Sequence, residues 1–232
     1  MHDCSYEYRK MMRKLKATKL AALSIKLTPR LLTIVIGVLT CCTPATQMKV
    51  SAQGRATLLA VADAAQSPAH TYFTDVVLVN QFGENMRLYS DLIKGRVVVI
   101  SSFFGTCQGS CPIVNHNLEQ VQQALRAHSG KDLYFISITV DPTVDTPARL
   151  NEYAKQYDAK PGWYFLSGEK QNVEFALRKL GQYVEDKQDH LNVIIIGNER
   201  TGLWKKAFGL TRSEELVKVV ESVLNDQSPD NQ

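Results

Sequence analysis

The chain has 232 residues, 44% of them hydrophobic and 22% charged, enough for one domain with a sizeable core plus extra segments; this excludes a disordered chain. Its formal charge of +4 comes from one end, because Met1 to Arg30 carries eight Lys and Arg against Asp3 and Glu7, a net of +6 that leaves −2 for the rest. A basic excess confined to a terminus is a targeting or topology signal, and nucleic acid is set aside as a partner because it would need a basic stripe on the folded domain.

After the basic region, "LLTIVIGVLTCC" (Leu31 to Cys42) is an uninterrupted apolar run bounded upstream by Pro29 and Arg30. It falls short of the roughly 20 residues of a comfortable bilayer span and suits the apolar stretch of an export signal. Positive charge before it would hold the N-terminus in the cytoplasm. Three fates stay open: cleavage after "VSA" at Ala52, lipidation of Cys41 or Cys42 in "VLTCC", or a short membrane anchor. The basic region is long for a signal, and Met11 and Met12 are alternative starts. Residues 1–42 are therefore assigned as basic N-terminus plus signal or anchor, and the protein is expected on the periplasmic side of a bacterial inner membrane, tethered or released. Residues 43–72, rich in Ala, Ser, Gln and Thr, read as a tether with one helical turn around Leu58. Residues 73–228 are the expected folded domain.

That domain opens with "DVVLVNQFGENMRL", two short strands around a Gly-containing turn. "RVVVISSFF" (Arg96 to Phe104) is a β-branched and aromatic run, as expected of a strand covered on both faces. Val114, Leu118, Val121 and Leu125 then mark one helical face. "DLYFISITV", ending at Val140, is a second buried strand. "DTPARLNEYAKQY" starts a helix with Thr146 as N-cap and Pro147 at the first helical position. "WYFLSG" predicts a strand, and "EKQNVEFALRKLG" a helix closed by Gly181. "LNVIIIGNERTGLWKKAF" predicts a hairpin. A last helix begins near Ser213, with Leu216, Val219, Val220 and Val223 at helical spacing and Thr211 and Glu214 spaced as a capping box. Buried strands joined by helices imply parallel crossovers, and the closing hairpin adds antiparallel strands. The expected architecture is a thioredoxin-like α/β fold: a central mixed sheet flanked by helices, with an N-terminal hairpin.

Of five cysteines, Cys4, Cys41 and Cys42 belong to the targeting segment, and only Cys107 and Cys111 remain in the domain. They sit in "FFGTCQGSCP", where a strand ends and a helix begins, the place where α/β sheets usually carry chemistry. Structural disulfide, redox pair and metal site are all open there. Cys111 at the helix start is expected to favour a thiolate. Gly105 and Gly109 can adopt positive φ, so both sulfurs can turn toward one point. Plain thioredoxin chemistry fits poorly: the spacing is one residue longer than C-x-x-C, no proline lies between the cysteines, and the region before the late hairpin, "KQDHLNVIIIG", holds Asp189 and His190 where a cis-proline is expected. Two thiolates and one imidazole suit Cu(I), and the imidazole is also compatible with Cu(II). Zinc would want a fourth ligand.

Three motifs in order, "GRVVVISSFFGTCQGSCP", "ISITVDPTVDTPARL" and "DHLNVIIIGNERTG", make the stretch from Asp75 to Phe208 resemble the Sco/SenC copper chaperones of cytochrome c oxidase assembly. The resemblance implies copper held by Cys107, Cys111 and His190, with the copper-binding subunit of cytochrome c oxidase as partner, alongside other copper chaperones or thiol oxidoreductases, and membrane contact through the N-terminal segment. Gln108 stands where the family often has Pro, and Leu191 where it often has Ser or Thr. The competing class is a thiol-disulfide oxidoreductase acting on exported proteins, in which Cys107 and Cys111 are catalytic and His190 tunes them. A peroxiredoxin-like peroxidase is motivated by fold alone and lacks the Thr two residues from its cysteine, since Thr106 adjoins Cys107. His116 reads as a solvated helix face, and His70 and His128 carry no assignment. Asp141 and Asp145 read as turn and helix-start residues, and Asp189 either orients His190 or caps its loop.

Overall fold

The computed structural model describes residues 68–227. Cys4, Cys41, Cys42, the apolar run, the cleavage point and the turn around Leu58 lie outside the described residues. Among the described residues no helix is long and apolar enough to cross a membrane. The domain starts slightly earlier than the sequence suggests, because Pro68–Phe73 forms helix α1 and buries Ala69 and Phe73.

Seven strands make one sheet: β1 (Val77–Asn80), β2 (Asn85–Arg87), β3 (Val97–Phe103), β4 (Leu133–Thr139), β5 (Trp163–Ser167), β6 (Val193–Asn198) and β7 (Leu203–Phe208), in the order β2-β1-β5-β4-β3-β6-β7. The three central strands β3, β4 and β5 run parallel, with Val99 opposite Phe135 and Phe135 opposite Trp163. β1 joins β5 and β6 joins β3 antiparallel, so a hairpin closes each edge. Gln81 extends the β1–β5 contact past the strand end: its amide donates to the Trp163 carbonyl at 2.9 Å and accepts the Phe165 N–H at 2.9 Å.

Every residue of β3 is buried, the signature of a strand covered on both faces. Val97, Val99 and Phe103 pack with helices α2 (Cys111–Ala124), α3 (Pro147–Gln156) and α5 (Ser213–Leu224), whereas Val98 and Ile100 face α1 and α4 (Lys170–Leu180). The two-residue side-chain period thus builds a three-layer domain with a core on each side of the sheet.

Local signals behave as their chemistry dictates at two helix ends. The Thr146 side chain caps α3 by accepting from the Arg149 N–H, and Gly181 ends α4 in the left-handed region at φ 66°. The capping box expected at Thr211 and Glu214 does not form. Arg212 occupies the cap position of α5 without a side-chain cap. Tertiary contacts from α2 fix this helix start instead: Asn117 donates to the carbonyls of Gly209 and Thr211 at 2.8 and 3.0 Å, and Ser213 donates to the Gln120 side chain. A π-helical turn at Leu88–Ile93 was not legible in the sequence; it buries Leu88, Tyr89, Leu92 and Ile93.

β3 and β4 end side by side, with Phe103 opposite Thr139. Two loops leave the sheet at this point, one carrying the cysteines and the other carrying "DPTVDTP".

Candidate metal site

Cys111 is the first residue of α2, and Cys107 lies in the loop that leads from β3 into it. His190 arrives from the opposite direction, at the end of a 3-10 turn (Lys187–Asp189) that precedes β6. The three ligand atoms lie within 4.8 Å of one another, and the Cys111 sulfur is 3.1 Å from His190 Nε2. Among the described residues this is the one group of three or more His, Cys, Asp and Glu side chains placed to hold a metal ion. Both cysteines are free thiols, Cys107 half-buried and Cys111 buried.

The sequence separates His190 from Cys111 by 79 positions, and three contacts bring its ring to the sulfur. His190 Nδ1 lies 3.0 Å from the Lys187 carbonyl. A carbonyl can only accept, so Nδ1 carries the proton and Nε2 presents its lone pair to Cys111, the arrangement that metal-binding imidazoles use. The His190 N–H donates to the same carbonyl at 3.3 Å. Phe104, next to the cysteine loop, meets the His190 ring edge to face at 5.2 Å.

Burial pushes the Cys111 thiol up to about 12, and the neighbouring Cys107 adds to the rise; main-chain groups of Phe104 and of Cys111 itself pull the other way but are outweighed. The expectation of a thiolate from helix position alone is therefore corrected. At the helix start the dipole is present, but only 2% of Cys111 is exposed, so removal of the charge from water dominates. Cys111 is held as a thiol that gives up its proton when a cation replaces it.

Neither Gly105 nor Gly109 lies in the left-handed region, which corrects the second expectation about this loop. Gly105 is required for a different reason. A Cβ there would sit 2.6 Å from Asp145 Oδ1, so the carboxylate occupies the space of a side chain. Asp145 is 1% exposed; it accepts the Gly105 N–H at 3.0 Å and the Thr139 hydroxyl.

The other candidates fall away from the sulfurs. His116 is exposed and bonds to Glu119 and Gln120 on its own helix, as a solvated face predicts. His128 pairs with Asp132, and His70 lies near Asp75. Asp189 is exposed, and Lys187 orients the His190 ring in its place. Sequence reasoning missed Lys187 because a main-chain carbonyl has no side-chain signature. It also missed the Lys187–Asp141 ion pair at 2.7 Å, which no spacing within either segment encodes.

Two soft sulfurs and one imidazole fit a two- or three-coordinate Cu(I). They fit zinc less well, since among the described residues no fourth His, Cys, Asp or Glu joins the group. The same two sulfurs can also form or accept a disulfide.

The SCO1/SenC family model matches residues 64–224. The SCO1 protein homolog of Bacillus subtilis (strain 168) is 33% identical over 118 residues, covering 50% of this chain and 60% of that relative. The chain thus spans less than two thirds of its length. Yeast Sco1 solved with copper bound superposes with a TM-score of 0.56 at 22% identity, over 67% of this chain and 94% of that one. BsSco, described with a disulfide switch as a member of the Sco family of cytochrome c oxidase assembly proteins, superposes with a TM-score of 0.54 at 26% identity, over 65% and 92%. These likenesses establish the thioredoxin-like fold of the Sco structures for this chain.

Proposed function

We propose that this chain, which belongs to the SCO1/SenC family, is a copper-binding metallochaperone that serves assembly of the binuclear copper site of cytochrome c oxidase. The observation that carries the reading is the convergence of Cys107, Cys111 and His190, from a loop, the start of α2 and the end of a 3-10 turn, with their ligand atoms within 4.8 Å of one another. Copper bound to yeast Sco1 and the oxidase-assembly role of the family of BsSco support it.

In this reading the chain supplies two sulfurs and Nε2 of His190, and copper supplies only its affinity for them. Cys111 loses its proton to solvent as the cation arrives. The Lys187 carbonyl accepts from Nδ1, so the imidazole presents Nε2 to the copper. The half-buried Cys107 and His190 leave the site open on one side, as transfer of copper to a partner requires. The basic N-terminus and the apolar run after it favour work on the periplasmic side of a bacterial inner membrane, with that segment as the membrane contact. The copper-binding subunit of the oxidase is the proposed recipient, and other copper chaperones or thiol oxidoreductases are the proposed donors or reductants.

A thiol-disulfide oxidoreductase acting on exported proteins is the second reading, and the two adjacent free thiols favour it. Its attacking sulfur would be the more exposed Cys107, since Cys111 is buried and held protonated.

The deciding experiment is titration of the full, reduced chain with Cu(I) against a chromophoric chelator. One copper per chain that survives the competitor, with two sulfurs and one nitrogen around it by X-ray absorption, is the expected result. A folded, reduced chain that surrenders its copper at once would overturn the copper reading and leave a redox pair.

A further inference from the structure

The motif "DPTVDTP" is explained locally by turn and helix-start chemistry, yet both of its carboxylates reach out of the turn. Asp141 receives the Lys187 ammonium at 2.7 Å, with only 12% of the Asp141 side chain exposed. Lys187 is the residue whose carbonyl orients His190, and its ammonium also lies 5.4 Å from the centre of the Phe104 ring that packs on the histidine. Asp145, four residues on, accepts the Gly105 N–H and stands where a Gly105 side chain would be, two residues before Cys107. The turn itself is rigidly tied to the sheet: the Asp141 N–H donates to the Thr139 hydroxyl at 2.9 Å, that hydroxyl donates to Asp145, and the Asp145 N–H donates to the Asp141 carbonyl at 3.0 Å.

The geometry points to the β4–α3 turn as a two-point brace for the metal site, in which Asp141 holds the histidine arm through Lys187 and Asp145 holds the cysteine arm through Gly105. Cys107 lies in a loop, Cys111 only begins α2, and His190 ends a short 3-10 turn; beyond the direct Cys111–His190 and Phe104–His190 contacts, what ties the two arms together is this turn. Asp141, Lys187 and Asp145 are positioning residues; none of them touches the metal. The inference rests on the reading that Cys107, Cys111 and His190 hold copper together.

Two readouts on the full chain distinguish the arms: retention of Cu(I) against a chelator, which engages all three ligands, and the metal-free dithiol–disulfide equilibrium of Cys107 and Cys111, which His190 touches only through its 3.1 Å contact with Cys111. Asp141→Asn and Lys187→Met are expected to weaken copper retention by about 10–100-fold, the usual cost of losing a partner that orients a ligand. Either variant should move the dithiol–disulfide equilibrium by much less than it weakens copper retention, since only the His190–Cys111 contact links the two. The exchanged pair, Asp141→Lys with Lys187→Asp, should recover most of the lost retention. Asp145→Asn is expected to shift the equilibrium itself, by about tenfold or about 30 mV for two electrons, because the Cys107 loop loses its anchoring charge.

Unchanged copper retention in both single variants of the ion pair overturns the histidine arm. Loss of retention that comes with an equally shifted thiol equilibrium and a lowered melting temperature reduces the pair to a structural contact and also overturns it. An unmoved equilibrium in Asp145→Asn overturns the cysteine arm. If the unsubstituted chain fails to hold copper, the copper reading falls instead, and the metal-free equilibrium still judges the Asp145 arm.

Discussion

Cys111→Ser is expected to abolish copper retention outright, with Cys107→Ser close behind and His190→Ala leaving a weakened two-sulfur site. The order follows from chemistry and burial. Serine replaces a soft, polarizable ligand with a hard hydroxyl that has almost no affinity for Cu(I). Cys111 is buried at the helix start, 3.1 Å from His190 Nε2, and among the described residues no further His, Cys, Asp or Glu joins the group to take its place. Cys107 is half-buried in a loop, and its loss leaves one sulfur and one imidazole, which would be a poorer pair of donors. His190→Ala removes a ligand and not merely its support, so its effect should exceed the roughly 10–100-fold that loss of an orienting partner costs. It should nonetheless leave the two thiols competent for disulfide exchange. The check is competitive Cu(I) titration beside a thiol-disulfide exchange assay on all three variants, with circular dichroism to verify that each is folded. If His190→Ala holds copper as tightly as the unsubstituted chain, His190 is not a ligand. If it loses exchange as completely as Cys107→Ser does, the histidine serves redox chemistry and the second reading gains the ground.

The sheet and the helices were legible because their signals are local and agree with one another. Val97 to Phe103 is apolar at nearly every position, and the strand is covered on both faces; Leu118 and Val121 keep a helical spacing, and both are buried. The site was legible for a different reason. Two cysteines with three residues between them and a histidine after an aspartate are rare enough that their motif order, set against a family pattern, pointed to the three residues that the fold brings together. What the sequence withheld was everything that depends on two segments meeting. The charge state of Cys111 was misjudged because a helix start can be read from the chain whereas burial by the far side of the core cannot. The glycines of the cysteine loop were assigned to backbone freedom, yet Gly105 answers to a carboxylate 40 positions away. Asp189 was weighed as an orienting partner of His190 or a loop cap, and Lys187 was not considered, because side-chain chemistry shows in a sequence and a main-chain acceptor does not.

Trp163→Ala is expected to destabilise the domain by about 3–5 kcal/mol, the range for deleting a large buried aromatic. Trp163 begins β5, is 1% exposed, stacks on Phe165 at 5.1 Å, and lies 5.8 Å from Phe135 on the neighbouring strand. Its indole N–H donates to Ser137 Oγ at 3.0 Å, and Ser137 Oγ meets Ser101 Oγ at 3.0 Å, so the substitution also removes one partner from a buried polar chain. Trp163→Phe keeps most of the volume and loses only the N–H, so it should cost distinctly less. Urea denaturation monitored by circular dichroism tests this: the midpoint should fall while the slope stays constant. The same residue also tests whether core and site are energetically separate. Trp163 pairs with Phe135, four residues before Thr139 at the site end of β4, which puts it about 13 Å from that end along the strand. Sites so far apart usually add, and the ring that touches both sides here is Phe165, which meets Trp163 and Phe103. Copper that binds only the folded chain should therefore raise the stability of the Trp163→Ala variant by the same amount as it raises that of the unsubstituted chain. A copper increment that shrinks in the variant would mean that the aromatic core under the sheet, through Phe103 and Tyr153 stacked at 5.0 Å, takes part in holding the ligands in place.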